Sequence, residues 1–300
     1  MASINILGVP HAYELTPPTA SGHVLVFIHG WLLSRRYWQP LIERLAPTYQ
    51  CLSYDLRGFG YSQITSQSRF NGQGTWVNSD SSSTTSRYTP AVYARDLGIL
   101  LQELNISSAW LIGHSLGGTI ALWGAEQLPE YVKGVVCINA GGGIYLKEAF
   151  ERFRSVGQQL IKFRPRLLCH LPWIDLVFTR DSVARPLARA WGRQRIVDFV
   201  MAHPEAALGT LLDSTTEAEV NRLPQVVSRL KQPVYFIAGA NDTIMEPKYV
   251  RHLASFHPLF QCCGDNVIEI PDCGHLAMVE QPDVVAKEIS IILDRSSSKI

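Results

Sequence analysis

The pentapeptide Gly113-His114-Ser115-Leu116-Gly117 follows the apolar run Ala109-Trp110-Leu111-Ile112 and precedes the helix-like stretch Gly118-Thr119-Ile120-Ala121-Leu122-Trp123-Gly124-Ala125. A strand that turns sharply into a helix here leaves one serine hydroxyl standing at the edge of a sheet. It also forces an unfavourable backbone on Ser115 that only tight packing can hold. Glycines at 113 and 117 remove the side chains that would keep strand and helix apart. The pentapeptide alone is an ordinary Gly-rich turn; a strand before it and a helix after it make it a nucleophile elbow.

The surrounding pattern fits that context. Short β-type runs at 24–28, 51–54, 110–112 and 134–138 alternate with helical patterns at 41–45 and 93–104 and with the helix after Ser115. The scheme resumes with strands at 234–238 and 267–270 and helices at 247–254 and 284–293. Such alternation predicts a parallel sheet flanked by helices. Residues 4–9 and 12–15, around Pro10, read as an opening hairpin. Residues 143–230 are helix-rich, aromatic and arginine-rich, and are expected to form a helical cap inserted after the sixth strand, leaving 1–142 and 231–300 as the core. Residues 62–87 are dominated by Ser, Thr, Gly, Asn and Gln and are expected to be a flexible polar loop within the core, with Phe70 and Trp76 as its large apolar residues.

Acyl transfer by a serine needs a base for the hydroxyl proton, a carboxylate to orient that base, and donors aimed at the developing oxyanion. Ser115 is the candidate nucleophile, His275 in Asp272-Cys273-Gly274-His275 the candidate base, and Asp242 in Gly239-Ala240-Asn241-Asp242 the candidate orienting acid. The order Ser, Asp, His, with each in a loop at the carboxyl end of a strand, is what the elbow requires. Asp272 is a distant second for the acid and Glu246 lies near Asp242, whereas Asn139, after the sixth strand, cannot supply the charge. His114 is expected to face away from the elbow tip and His29 to brace the loop that follows it, so neither is the base. The oxyanion donors are the backbone N–H of Leu116 and that of Trp31 in His29-Gly30-Trp31-Leu32, with Leu32 as the alternative. Trp31 also suits a pocket wall.

His29-Gly30-Trp31, Asp55-Leu56-Arg57-Gly58-Phe59-Gly60-Tyr61-Ser62, Gly113 to Gly118, Asp242 and Gly274-His275 together resemble the α/β-hydrolase superfamily. The resemblance spans the chain apart from 62–87 and the cap. It implies the α/β-hydrolase fold, an α/β architecture with an eight-stranded, mostly parallel sheet, helices on both faces and an inserted helical cap. It also implies a covalent acyl-enzyme hydrolysed by water, with no cofactor and no metal. Serine at the elbow departs from the epoxide hydrolase and haloalkane dehalogenase branches, which carry aspartate there. Trp31 and Ser115-Leu116-Gly117-Gly118 are similar to carboxylesterases that cleave acyl-carrier methyl esters and to chlorophyll dephytylases. The expected activity is hydrolysis of carboxylic esters with a substantial apolar moiety. The alternatives are cleavage of a prenyl ester, thioester or carbon–carbon hydrolysis, hydroxynitrile lyase or perhydrolase chemistry on the same triad, or a ligand-binding receptor that has lost turnover.

Charge adds one further expectation. Formal net charge is +1, so nothing global points to nucleic acid. Lys147 to Arg195, however, holds eleven Lys or Arg against four acids, a net of +7, and leaves −6 for the rest of the chain. Phe150, Phe153, Phe163, Trp173, Phe178 and Trp191 are interleaved with these charges. The mixture suits an anionic membrane surface, an acidic carrier protein or an anionic substrate tail, and Arg185, Arg189, Arg193 and Arg195 are the residues whose loss should weaken membrane or carrier binding; the plainer alternative is a solvated arginine face. The first residues carry no basic patch followed by a long apolar stretch, so a cytoplasmic protein, peripherally membrane-associated at most, is expected. The six cysteines show no metal-ligand spacing; Cys51 and Cys137 read as core residues and Cys262-Cys263 as part of a surface loop.

Overall fold

The computed structural model describes residues 1–63, 87–141, 147–171, 173–263 and 266–297. Residues 64–86, and with them most of the expected polar loop including Phe70 and Trp76, lie outside the described residues. The chain runs β1 (Ala2–Ile6), β2 (Val9–Leu15), β3 (Val24–Ile28), a 3-10 turn (Arg35–Trp38), α1 (Gln39–Leu45), β4 (Gln50–Tyr54), α2 (Pro90–Glu103), β5 (Ala109–His114), α3 (Leu116–Gln127) and β6 (Val132–Ile138). There follow α4 (Lys147–Lys162), a second 3-10 turn (Arg166–His170), α5 (Ile174–Phe178), α6 (Arg189–Met201), α7 (Pro204–Ser214) and α8 (Glu217–Arg229). The chain returns through β7 (Val234–Gly239), α9 (Pro247–Ala254), α10 (Pro258–Cys263), β8 (Val267–Ile270), α11 (Ala277–Glu280) and α12 (Pro282–Ser297).

The strands form one eight-stranded sheet in the order β1-β2-β4-β3-β5-β6-β7-β8. β1 and β2 form the expected antiparallel hairpin, β2 joins β4 antiparallel, and all further pairs are parallel. Helices cover both faces, so the central strands bury both sets of alternate side chains. Val26, Ile28, Leu111, Val135 and Phe236 join one core with α2, α3 and α9, while Leu25, Phe27, Ile112, Val136 and Ile237 join a second core with Trp38, Leu41 and Ile289. This period-2 division is why the strands read as unbroken apolar runs.

Parallel pairing puts the carboxyl ends of β3, β5, β6, β7 and β8 along one edge. Ile28 is level with Gly113, His114 with Ile138, Ile138 with Ile237, and Gly239 with Ile270. The turn from β5 to α3 closes only because the chain has no side chain at two points. A Cβ at Gly117 would land on the carbonyl oxygens of Ile28 and His29, and one at Gly113 on the Gly117 carbonyl.

Between β6 and β7 the described residues contain helices and turns and no strand. α8, which lies within the span read as the cap, packs on α3 and α9 beside the sheet. The helices before it rest on the loops at the carboxyl edge. The Trp31 indole donates to the Ala207 carbonyl at 2.9 Å, the His203 N–H to the Gly58 carbonyl at 2.7 Å, and the Ser34 hydroxyl to the buried Asp198 carboxyl of α6 at 3.0 Å. Gly58 has φ +85, and a side chain there would strike Ala206 of α7. Asp55, fully buried, closes the Asp55–Ser62 turn: its carboxylate accepts from the N–H groups of Arg35 and Tyr61, and the Ser62 hydroxyl donates to its carbonyl.

The arginines singled out by charge counting are already engaged. Arg189 and Arg193 share Asp175, Arg195 holds Asp181 and two backbone carbonyls, and Arg185 meets Asp272. Cys262 is exposed, as expected, but lies on α10 rather than in a loop.

Two measurements follow from this packing. Gly117→Ala is expected to destabilise the fold by about 3 kcal/mol, because the new methyl meets backbone that cannot rotate away; chemical denaturation read from the shift in midpoint checks it. Asp198 is the second case. Burial pushes its carboxyl up to about 7 and Asp55 adds to the rise, against the hydrogen bonds from Gln194 and Ser34 and the charge of Arg36. The folded state thus keeps a proton that the unfolded chain loses above 3.8, so the contribution is full in acid and is lost as pH rises through about 7. Asp198→Asn, which cannot ionise, should melt on the order of a few °C above wild type near pH 8, with the gap narrowing steadily as pH falls towards 3.8, in a melting series across pH.

Candidate active site

Ser115 sits between the last residue of β5 and the first of α3 with φ 52 and ψ −119, a conformation that L residues adopt only under constraint. The constraint is visible on both sides. The Ser115 N–H donates to the Ile138 carbonyl at the end of β6 (3.0 Å), and its carbonyl accepts from the Gly118 N–H (2.9 Å). Ser115 is partly exposed while its neighbours from Leu111 to His114 and from Leu116 to Gly118 are buried. A hydroxyl thus stands at the carboxyl edge of the sheet on an immobile turn.

Two strands along the same edge, Asp242 follows β7, and His275 follows β8. The His275 Nδ1–H donates to Asp242 Oδ2 at 2.7 Å, and both side chains are buried. Asp242 Oδ2 also accepts from the Asn139 amide at 2.8 Å, and Oδ1 from the N–H groups of Ile244 (2.8 Å) and Met245 (2.9 Å). Burial alone would raise the carboxyl, but His275 and these backbone N–H groups outweigh it and hold it below its ordinary value. The acid is therefore ionised, and His275 is held in the tautomer that leaves Nε2 with its lone pair. Asp272, the distant second, is exposed and paired with Arg185, and Glu246 is paired with Lys248; neither is bonded to His275.

His114 is closer to the chemistry than its setting aside suggests. Its ring packs edge-on against that of His275 with centroids 4.8 Å apart, and its Nε2–H donates to the His275 carbonyl at 2.7 Å. Burial, reinforced by His275, pushes its imidazole down to about 3, so it is neutral. Through it, the residue before Ser115 holds the backbone of His275. His29 braces its loop as expected: Nδ1–H donates to the Gly30 carbonyl (2.8 Å), and Nε2 accepts from the Leu56 N–H (2.9 Å).

Three supporting residues escape the sequence. Asn139, excluded as an acid, acts as a donor that joins Asp242 to the Gly274 carbonyl. Glu280 at the end of α11 gathers the N–H groups of Gly274 (3.0 Å), Leu276 (3.0 Å) and Ala184 (2.8 Å). Ser182 accepts the His275 N–H at 2.9 Å, so the segment before α6 touches the base directly. The sole signal for Glu280 was a carboxylate five positions after the histidine, which without the loop geometry carries no meaning.

Leu116 opens α3, so its N–H has no carbonyl one turn back to pair with, as at any helix start. Trp31 follows Gly30 on the loop after β3, with Leu32 next in the left-handed region at φ 57. The side chain of Trp31 is fixed to α7 through Ala207, which fits the wall role as well. Among the described residues no group of three or more His, Cys, Asp or Glu could hold a metal, and no helix is long and apolar enough to cross a membrane.

Known proteins agree with this architecture. The chain is similar to the pimeloyl-[acyl-carrier protein] methyl ester esterase of Xanthomonas campestris pv. campestris, with 28% identity covering 89% of this chain and 94% of that one. It is equally similar, at 28% identity over 80% of this chain and 78% of the other, to the magnesium-chelatase 30 kDa subunit of Rhodobacter capsulatus. A thermophilic esterase from Thermogutta terrifontis shares the fold, with a TM-score of 0.73 and 22% identity over 99% of both chains. The family model described as the alpha/beta hydrolase fold matches residues 23–282, and with the sheet order and the elbow described above this chain belongs to the α/β-hydrolase family.

Proposed function

We propose that the protein is a serine hydrolase of carboxylic esters with a substantial apolar moiety. The observation that carries the reading is the 2.7 Å bond from His275 Nδ1 to a buried, ionised Asp242, at the strand edge where Ser115 occupies its strained turn. In the proposed reaction His275 Nε2 takes the Ser115 proton as the hydroxyl oxygen attacks the ester carbonyl. The charge that develops on the carbonyl oxygen is received by the N–H groups of Trp31 and Leu116, worth several kcal/mol in a site closed to water. His275 then hands its proton to the departing alkoxide, leaving the acyl group on Ser115. Water, deprotonated by the same imidazole, releases the acid and restores the serine. Asp242 remains ionised throughout, stabilising the imidazolium.

Similarity to a protein named as a methyl ester esterase supports hydrolysis of a carboxylic ester. The four donors around Asp242 support catalysis over a receptor role, since a binding protein has no use for a buried carboxylate aimed at an imidazole.

Ser115→Ala should lower ester turnover by on the order of 10⁶ while leaving substrate binding in place; steady-state kinetics beside labelling with a fluorophosphonate probe tests this, and a variant retaining a tenth of wild-type activity would remove Ser115 from the role. Asp242→Asn should cost roughly 10⁴ in turnover through the wrong tautomer, with Asp272→Asn nearly silent. The opposite ranking in matched assays would move the acid. A panel of esters graded by acyl length and alcohol bulk, prenyl esters included, identifies the substrate.

A further inference from the structure

Among the described residues fifteen large hydrophobic side chains are exposed, and ten of them lie between Val156 and Met201. That concentration is the opposite of the scattered exposure normal for a surface. On α4, Val156 and Leu160 lie one turn apart, with Phe163, 79% exposed, one position beyond the helix on the same side. The Arg164 guanidinium donates to the Phe199 carbonyl at 2.8 Å and ties this end of α4 to the end of α6, where Val197 and Met201 are exposed one turn apart. Val197 in turn borders a pocket of about 290 Å³ together with Leu171 and Trp173, the latter 69% exposed. The apolar side chains therefore form one face across α4, the second 3-10 turn, α5 and α6.

The charges on this face have one sign left over. Asp175 and Asp181 are consumed by Arg189, Arg193 and Arg195, with two guanidiniums on the first. Arg152, one turn before Val156, Lys162, beside Phe163, and Arg180, just past α5, are exposed, and no ion pair joins any of them to an acid among the described residues. An apolar helical face with projecting Phe and Trp and with Lys and Arg stems at its margin has the chemistry of a bilayer interface, where rings enter the acyl boundary and cations meet headgroups.

We infer that this face of the cap docks on an anionic phospholipid surface. The net +7 of Lys147–Arg195 against −6 elsewhere orients the molecule, presenting the cap to the negative leaflet and holding the remainder away. The inference does not depend on the chemistry at Ser115. The cap helices also rest on the loops at the carboxyl edge, so docking would put that edge just behind the lipid surface.

Co-sedimentation of the full chain with vesicles tests it, using phosphatidylcholine alone and phosphatidylcholine mixed with phosphatidylglycerol, at low and high salt. Wild type should bind the mixed vesicles, bind neutral ones poorly, and lose affinity as salt shortens the screening length below roughly 8 Å. Phe163→Glu combined with Trp173→Glu should weaken binding at least tenfold, with the melting temperature and the turnover of a short soluble ester unchanged. Arg152→Gln with Lys162→Gln should weaken binding mainly at low salt and flatten the salt dependence. Ser115→Ala should bind vesicles as wild type does, which separates this outcome from the catalytic one. Absence of wild-type binding to mixed vesicles overturns the inference, as does equal binding by the Phe163/Trp173 variant. So does a wild-type dimer, or capture of an acyl carrier protein, that the same variant abolishes.

Discussion

A carboxylate removed from water must be supplied with donors, and in this molecule Asp242 receives four. Left unpaired, such a group would cost several kcal/mol or take up a proton. The donors come from the end of β6 through Asn139, from the chain just after β7 through Ile244 and Met245, and from the loop after β8 through His275. One ionised group thus fixes the relative positions of three neighbouring strand ends. The imidazole it orients is set by the register of the sheet as much as by the loop that carries it, and a shift of β8 by one residue would break the pair along with the ladder.

The candidate nucleophile is fixed by a different means. Ser115 is held by absence, with Gly113 and Gly117 letting α3 come down onto β3 and β5. His114 then links the two devices, since it belongs to the strand before Ser115 and donates to the carbonyl of His275. Its neutrality matters. A protonated ring in the same place would put a positive charge against the imidazole of His275, the candidate base.

The strands were legible because burial on both faces of a parallel sheet leaves unbroken apolar runs, and Ser115, Asp242 and His275 stood out as candidates because they fall at strand ends in a fixed chain order. What escaped depends on contacts between residues far apart in the chain. Asn139 and Asp242, Glu280 and Ala184, and His114 and His275 are each separated by about a hundred positions or more, and no local pattern records that they meet. The cap shows the same limit. Counting charges from Lys147 to Arg195 found the excess but not that Arg185, Arg189, Arg193 and Arg195 are tied to aspartates. The helix-rich reading of 143–230 likewise does not record that α8 belongs beside α3 and α9.

The contacts of Glu280 and Ser182 tie the segment between β6 and β7 to the loop after β8. One carboxylate holds the N–H groups on either side of His275 and one from the inserted segment, while the N–H of His275 itself ends on the Ser182 carbonyl. Grafting a foreign insertion between β6 and β7 would leave the loop of the base with a missing acceptor and an unfilled carboxylate, whatever shape the graft gave the pocket. Recombination between relatives would succeed only where the donor brings a matching carbonyl and N–H to this loop. The short stretch 182–184 is thereby a splice between the inserted segment and the loop that carries His275.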